Sequence, residues 1–268
     1  NKGLEAAKES VSQIREAIRG ADMVFVCAGL GGGTGSGAAP LVSQVAKETG
    51  AIVIGVVTMP FNIEKARIDK AEFALKQMRQ FTDTVIVIDN NKLSTIAGNL
   101  PIQQAFAVAN ELIATMIKGI VEIIAVPSLI NLDYADVRTI MSSGGLSVIG
   151  IGESDSEGKV EEAVHRALSN PLLEVKYDGA QGALIHITGG PDMTLDEAER
   201  VGELITGGLD DDALVIWGAR IDPKFQGKIR VMTIVTGVQS PYVLGKYDAA
   251  KPSEKSVAFN RELGIELL

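Results

Sequence analysis

Apolar positions along the chain follow two rhythms. In 22–28, 51–58 and 84–89 nearly every residue is apolar, with many β-branched side chains, which predicts strands buried on both faces. Between and around them, at 4–19, 38–48, 63–80 and 92–97, apolar residues recur every three or four positions and predict helices. Alternation of this kind predicts a parallel, doubly wound, Rossmann-like α/β sheet over residues 1–100. The next stretch, Pro101 to Gly119, carries Phe106, Ala107, Val108, Leu112, Ile113, Met116 and Ile117 around nearly its whole circumference. It predicts a buried central helix opened by proline and closed by glycine. At roughly 1.5 Å per residue its ~18 residues span on the order of 27 Å.

Beyond this helix, a further helix is expected at 135–142, strands at 148–152, 183–188, 213–220 and 228–238, and helices at 157–169 and 195–206. These make a second α/β domain, within 120–240, of a four-stranded sheet and two helices. Thr194 and Glu197 have the spacing of a capping box at the start of the last helix. Residues 241–268 read as a polar tail.

Composition narrows the function. The chain has 268 residues, is 46% hydrophobic and carries a formal charge of −9, which argues against binding a phosphate backbone and favours a freely diffusing protein. No apolar run is long enough to span a bilayer, and no secretory signal opens the chain, so no membrane insertion is expected. Cys27 reads as a small core residue of the first strand. His165 and His186 lie far apart in sequence, so no histidine-rich metal site is expected.

The stretch with the strongest chemical signal is Gly29-Leu-Gly-Gly-Gly-Thr-Gly-Ser-Gly-Ala-Ala-Pro40. Strand, glycine turn and helix together aim backbone N–H groups and the positive end of a helix at one spot, which suits phosphate oxygens. Gly31, Gly32, Gly33, Gly35 and Gly37 remove the side chains that would hold a ligand away, and Thr34 and Ser36 add hydroxyls. A Walker A loop is excluded, because no lysine occurs between Gly20 and Lys47. The dinucleotide fingerprint fits Gly33 to Ala38 loosely, but the next strand ends Val57-Thr58-Met59-Pro60 without the ribose-binding acid.

The string Gly31-Gly-Gly-Thr-Gly-Ser-Gly37 closely resembles the signature loop of the tubulin/FtsZ superfamily, and the chain from about Leu4 to Gln239 resembles an FtsZ-type cell-division GTPase of archaeal character. Further short strings agree: Gly150-Ile-Gly-Glu153, Ser169-Asn-Pro-Leu-Leu173 and Gly182-Ala-Leu-Ile-His-Ile187. The resemblance implies that Gly31 to Gly37 grip the phosphates of GTP or GDP, with Mg2+ accompanying the triphosphate. It implies a GTP-binding domain at 1–100, a connecting helix at 101–119 and a GTPase-activating domain at 120–240. In Pro60-Phe61-Asn-Ile-Glu64-Lys-Ala-Arg67, Glu64 would reach the ribose and Arg67 lie near the phosphates. The family's glycine after the glutamate is missing here and the segment is one residue short, which sets the place of Arg67 apart from the family's. A plain surface helix start is the competing reading of that segment. Asn90 matches the asparagine that meets guanine, and where the FtsZ family usually has an aspartate this chain has Asn110, an asparagine as in tubulins. Loss of that charge implies a weaker preference for guanine. The family also has, ahead of the first helix, a strand with another glycine-rich nucleotide loop. The chain opens on Asn1 at that helix, so a fragment or an incomplete pocket is expected.

Asn131-Leu-Asp133-Tyr-Ala-Asp136 is the second candidate. Asp133 and Asp136 suit a helix N-cap and first turn, and capping alone would explain them. The resemblance adds a catalytic role, in which Asn131, Asp133 and Asp136 belong to the loop whose carboxylates polarise the water attacking the γ-phosphate. If the central helix borders the nucleotide at its start, these acids lie too far below it to act within one chain. A neighbour stacked head to tail would supply them, and such a contact propagates as a filament. The resemblance thus implies self-association in the cytoplasm at the division site, no nucleic-acid partner, and division or membrane-tethering proteins met through the tail. A nucleotide-binding scaffold without turnover, or less favourably a dinucleotide-dependent oxidoreductase, stays open at this point.

Overall fold

A computed structural model describes residues 2–142, 146–169 and 180–238. It begins with two short helices, α1 (Lys2–Glu9) and α2 (Val11–Ala17). Then come β1 (Met23–Gly29), α3 (Gly33–Glu48), β2 (Ile52–Met59), a 3-10 turn (Asn62–Glu64), α4 (Ala66–Phe81), β3 (Thr84–Asp89) and α5 (Asn90–Ala97). A long helix, α6 (Ile102–Ala125), leads to α7 (Tyr134–Ser142), β4 (Ser147–Ser154), α8 (Lys159–Leu168) and β5 (Ala180–Gly189). The described part ends with α9 (Leu195–Thr206), β6 (Leu209–Ile221) and β7 (Ile229–Thr236).

β1, β2 and β3 form a parallel sheet in that order. α3 packs on β1 and β2, and α4 on β2 and β3. The second sheet has the order β4-β7-β5-β6, with β5 and β6 parallel and β7 antiparallel to both its neighbours. The two sheets meet where Val85 pairs with Leu146 and the buried hydroxyls of Thr84 and Ser147 lie 2.5 Å apart. One apolar core runs from β2 and β3 through α6 and α7 to β4, β5 and β7, while α8 and α9 seal a second core on the second sheet. The expected capping box is present: Glu197 N–H donates to Thr194 Oγ1 at 3.2 Å and Thr194 N–H to Glu197 Oε2 at 3.0 Å.

Four local expectations are corrected. The single helix at 4–19 is two helices, parted at Ser10. α3 starts at Gly33, not at residue 38, so five of the seven residues from Gly31 to Gly37 are helical. Cys27 is exposed, because among the described residues β1 is an edge strand of which only Val26 is buried, whereas β2 and β3 are buried almost throughout. Finally, Gly119 does not close α6, which runs on to Ala125. A Cβ at Gly119 would fall 2.6 Å from Met232 Sδ, so this glycine serves close packing of α6 on β7.

α6 is also not buried all round. Its 24 residues bury only Ala109, Met116, Ile120 and Ile123, whereas Ile102, Phe106 and Val121 are exposed. An apolar circumference therefore does not measure burial here. Among the described residues the neighbours of α6 cover one stripe of it. The Ser169–Leu173 string beyond its first residue and the tail at 241–268 lie outside the described residues.

Candidate nucleotide-binding and hydrolytic sites

At the carboxyl end of β1 the backbone is held before it turns into α3. Leu30 N–H donates to Thr58 O at 3.0 Å, and Gly31 takes φ +94°, a conformation that favours glycine. Ser36 Oγ accepts from Gly31 N–H at 2.8 Å, which closes the turn. A Cβ on Gly35 would sit 2.0 Å from Gly29 O, so glycine is required there for the chain to fold back on the strand. Gly32 and Gly33 differ: both are exposed, and among the described residues no atom lies within 4 Å of an added Cβ. Space above them is open, and the first N–H groups of α3 have no side-chain cap. This arrangement fits an anion such as a phosphate chain. Thr34 is exposed beside it, whereas Gly37 is buried in the helix.

Three more expected residues share this end of the sheet. Added at Gly31, a Cβ would meet Arg67 Cβ at 3.0 Å, so Arg67 flanks the glycine turn. Its guanidinium pairs with Glu64 at 2.7 Å, and Glu64 Oε1 accepts from Phe61 N–H at 3.0 Å. The Phe61 N–H foremost, then Arg67, holds the Glu64 carboxyl below the usual range. Lys65 follows at φ +38°, a backbone conformation that favours glycine. Asn90 opens α5, whose cap is the buried Asp89 carboxylate accepting from Asn91 N–H at 2.8 Å.

Sequence reading missed two residues here. Asn91 ties α5 to the 3-10 turn by accepting from Asn62 N–H at 2.9 Å; only its place next to Asn90 could have suggested it. Phe106 packs edge-on against Phe61, with ring centroids 6.3 Å apart. The two line a cavity of about 150 Å³ with Leu93, Ala97 and Leu100. The ring pair brings the first turns of α6 to the glycine-turn end of the sheet, and the exposed Asn110 lies one turn beyond Phe106. The i, i+4 pairing of an aromatic with Asn110 was the available signal.

Asp133 and Asp136 lie at the other end. Asp133 Oδ1 accepts from Asp136 N–H at 2.9 Å and Asp136 Oδ2 from Asp133 N–H at 3.0 Å, a reciprocal cap on α7. Each acid commits one carboxylate oxygen to the cap. Asn131 Oδ1 accepts from Ser128 N–H at 2.7 Å. Tyr134 Oη donates to Asp22 O at 2.6 Å, which fixes this loop beside the start of β1. The glycine turn follows the end of β1. Seven residues at about 3.3 Å each put roughly 20 Å between the two places. The structure thus gathers the glycine turn, Glu64, Arg67, Asn90 and the start of α6 at one end, and sets Asn131, Asp133 and Asp136 apart from them.

Residues 1–98 match the family model described as "Tubulin/FtsZ family, GTPase domain", and residues 145–239 match "FtsZ family, C-terminal domain". The chain is 58% identical over 247 residues to "Cell division protein FtsZ 2" of Methanocaldococcus jannaschii, covering 91% of this chain and 65% of that protein. It is 49% identical over 267 residues to "Cell division protein FtsZ 1" of Archaeoglobus fulgidus, covering 99% of this chain and 70% of that one. It therefore spans about two thirds of the length of the curated relatives it matches. Among solved structures, "FtsZ dimer, empty (M. jannaschii)" superposes with a TM-score of 0.79 at 45% identity, over 94% of this chain and 76% of that one. With both the nucleotide-end glycines and the distant acid loop embedded in matches of this extent, the chain belongs to the FtsZ family.

Proposed function

We propose that this protein binds and hydrolyses GTP as a subunit of a head-to-tail filament acting in cell division, in the cytoplasm at the division site. Gly31, Gly32, Gly33, Thr34, Gly35, Ser36 and Gly37 form the phosphate cradle, with Arg67 beside it and Glu64 toward the ribose. Asn90 and Asn110 serve the base, with Phe106 offering a ring face one turn from Asn110. Residues 1–100 make the nucleotide-binding part, α6 the connector, and the residues after it up to 240 the part that activates hydrolysis. Mg2+, held with the triphosphate, would neutralise charge on the phosphate oxygens. Among the described residues no helix is long and apolar enough to cross a membrane. The tail at 241–268 is the segment assigned to division or tethering partners.

One observation carries this reading: the roughly 20 Å that separates the glycine turn from Asp133 and Asp136 along β1. Proton transfer and water positioning need contacts of about 3 Å. The acids therefore act on nucleotide held by the next subunit, with Asn131 shaping their loop. A contact between opposite ends of two copies does not close on itself, so it builds a filament. In the cap geometry each carboxylate keeps one oxygen for the incoming water.

Replacing Asp133 by alanine tests the assignment. GTP turnover should fall by about a hundredfold or more while GTP affinity stays within twofold, since general base assistance is typically worth ~10²–10⁴ in rate. Unchanged turnover would show that Asp133 is only a helix cap.

A further inference from the structure

The segment carrying Asn131, Asp133 and Asp136 is seated on two paired positions of the second sheet, His186 of β5 and Gly218 of β6. A Cβ on Gly218 would lie 2.6 Å from Leu132 Cγ and 2.8 Å from Ile130 O. Only the missing side chain lets residues 130–132 lie flat on the sheet. There Ile130 and Ala219 exchange two backbone hydrogen bonds of 3.0 and 3.2 Å, and Leu132 is buried. His186 supplies the other half of the seat. It is 7% exposed, and its Nε2 lies 3.4 Å from Ser128 Oγ.

Burial above all, then the Arg220 guanidinium, pushes His186 down to about 4, so the ring is neutral near pH 7 and has one N–H. Ser128 Oγ is also 3.4 Å from Val126 O. In the Nε2–H tautomer the hydroxyl donates to that carbonyl and its oxygen accepts from Nε2–H; in the Nδ1–H tautomer the hydroxyl donates to Nε2, and either way the two side chains are joined. Ser128 N–H then donates to Asn131 Oδ1 at 2.7 Å. A continuous chain of polar contacts runs from the floor of the sheet to the acid loop. The nucleotide-binding and hydrolytic roles proposed above make no use of this histidine, although it stands in the Gly182–Ile187 string.

We infer that His186 is a positioning residue for hydrolysis, acting through Ser128 to fix residues 128–133 and so the outward aim of Asp133 and Asp136. The inference deepens the hydrolytic reading of this loop and rests on it. His186 itself would touch neither nucleotide nor water at the reacting atoms. Its effect would fall on turnover and not on nucleotide affinity, which is determined at the opposite end of β1.

The test uses the full chain with GTP, comparing His186→Leu, His186→Gln and Ser128→Ala with the parent. Turnover per assembled subunit, GTP affinity, sedimentable polymer and amide exchange at Ile130 and Ala219 are measured. His186→Leu and Ser128→Ala should each lower turnover about tenfold, the double variant no further than either single one, because both break one chain of contacts. Amide exchange at Ile130 should quicken at least tenfold, with GTP affinity unchanged within twofold. His186→Gln, whose amide N–H can reach toward Ser128, should keep turnover within threefold of the parent. Parental turnover and exchange in His186→Leu would overturn the inference, as would a folded His186→Gln as impaired as His186→Leu. If His186→Leu does not fold, Ser128→Ala decides alone, and parental turnover there rejects the role. An Asp133→Ala variant that kept its turnover would remove the hydrolytic reading and this role together. Loss in Asp133→Ala without loss in Ser128→Ala removes only this one.

Discussion

The two ends of the first sheet solve different problems. At the carboxyl end of β1 the protein presents backbone: a turn with φ +94° at Gly31, a helix that starts inside the glycine string, and open space over Gly32 and Gly33. At the amino end it presents side chains, with Asp133 and Asp136 locked into a mutual cap and their loop pinned to β1 by Tyr134 and to β6 by Ile130. The first leaves backbone N–H groups at a helix start without a side-chain cap; the second closes its own N–H groups by reciprocal capping. That contrast explains why one end announces its chemistry and the other can pass for helix capping. It also means that each end should fail in its own way.

The largest effect is expected from paired glycine changes at the cradle. Gly35→Ala would force a Cβ to within 2.0 Å of Gly29 O, and since the obstacle is backbone, the loop must move. We expect a loss on the order of 3 kcal/mol in stability, at the upper end for overpacking, with GTP binding lost. Gly33→Ala meets nothing within 4 Å and should leave stability equal or slightly higher, yet weaken GTP binding at least tenfold. Thermal unfolding and nucleotide titration check both. Equal GTP affinity in Gly33→Ala and the parent would show that the open space is not where phosphate sits.

The acid end should be exposed by pH. His186 titrates at about 4 folded against an ordinary 6.5. Between these values the unfolded chain binds a proton that the folded chain does not, so stability rises with pH across the window. Its contribution is complete above pH 6.5 and falls away toward pH 4, by up to about 3 kcal/mol. Denaturant unfolding of the parent and His186→Gln from pH 4 to 7 measures it. The variant should lack most of that slope, and an identical slope would move the effect to other groups.

A smaller effect belongs to the cradle's flank. Lys65 holds φ +38°, a conformation that favours glycine, so Lys65→Gly should gain about 1 kcal/mol by relieving backbone strain. A lower melting temperature would show instead that the lysine side chain contributes contacts outweighing its backbone cost.

Much of this was readable in the chain, for physical reasons that differ by element. β2 and β3 declared themselves because strands covered on both faces must be apolar throughout, and β1 shares their composition although only Val26 of it is buried. Thr194 and Glu197 declared their cap because hydroxyl and carboxylate at that spacing have one local use. Cys27 misled, since a strand's composition does not say whether it lies at an edge. Gly119 misled as well: a glycine that ends a helix and one that admits Met232 look alike until the partner is known. At the site, the glycine string was legible because its chemistry is sequence-local backbone. The Ser128–His186 contact was not, because 58 positions separate the two residues and only the folded sheet brings them together.

The central claim is that one subunit's cradle and its neighbour's acids make a single hydrolytic site. GTP turnover per subunit, measured as total protein is diluted through the range where polymer disappears, tests it most directly. The account predicts a specific rate that collapses with the polymer while GTP stays bound to the dispersed subunits. A specific rate that held constant on dilution would contradict it.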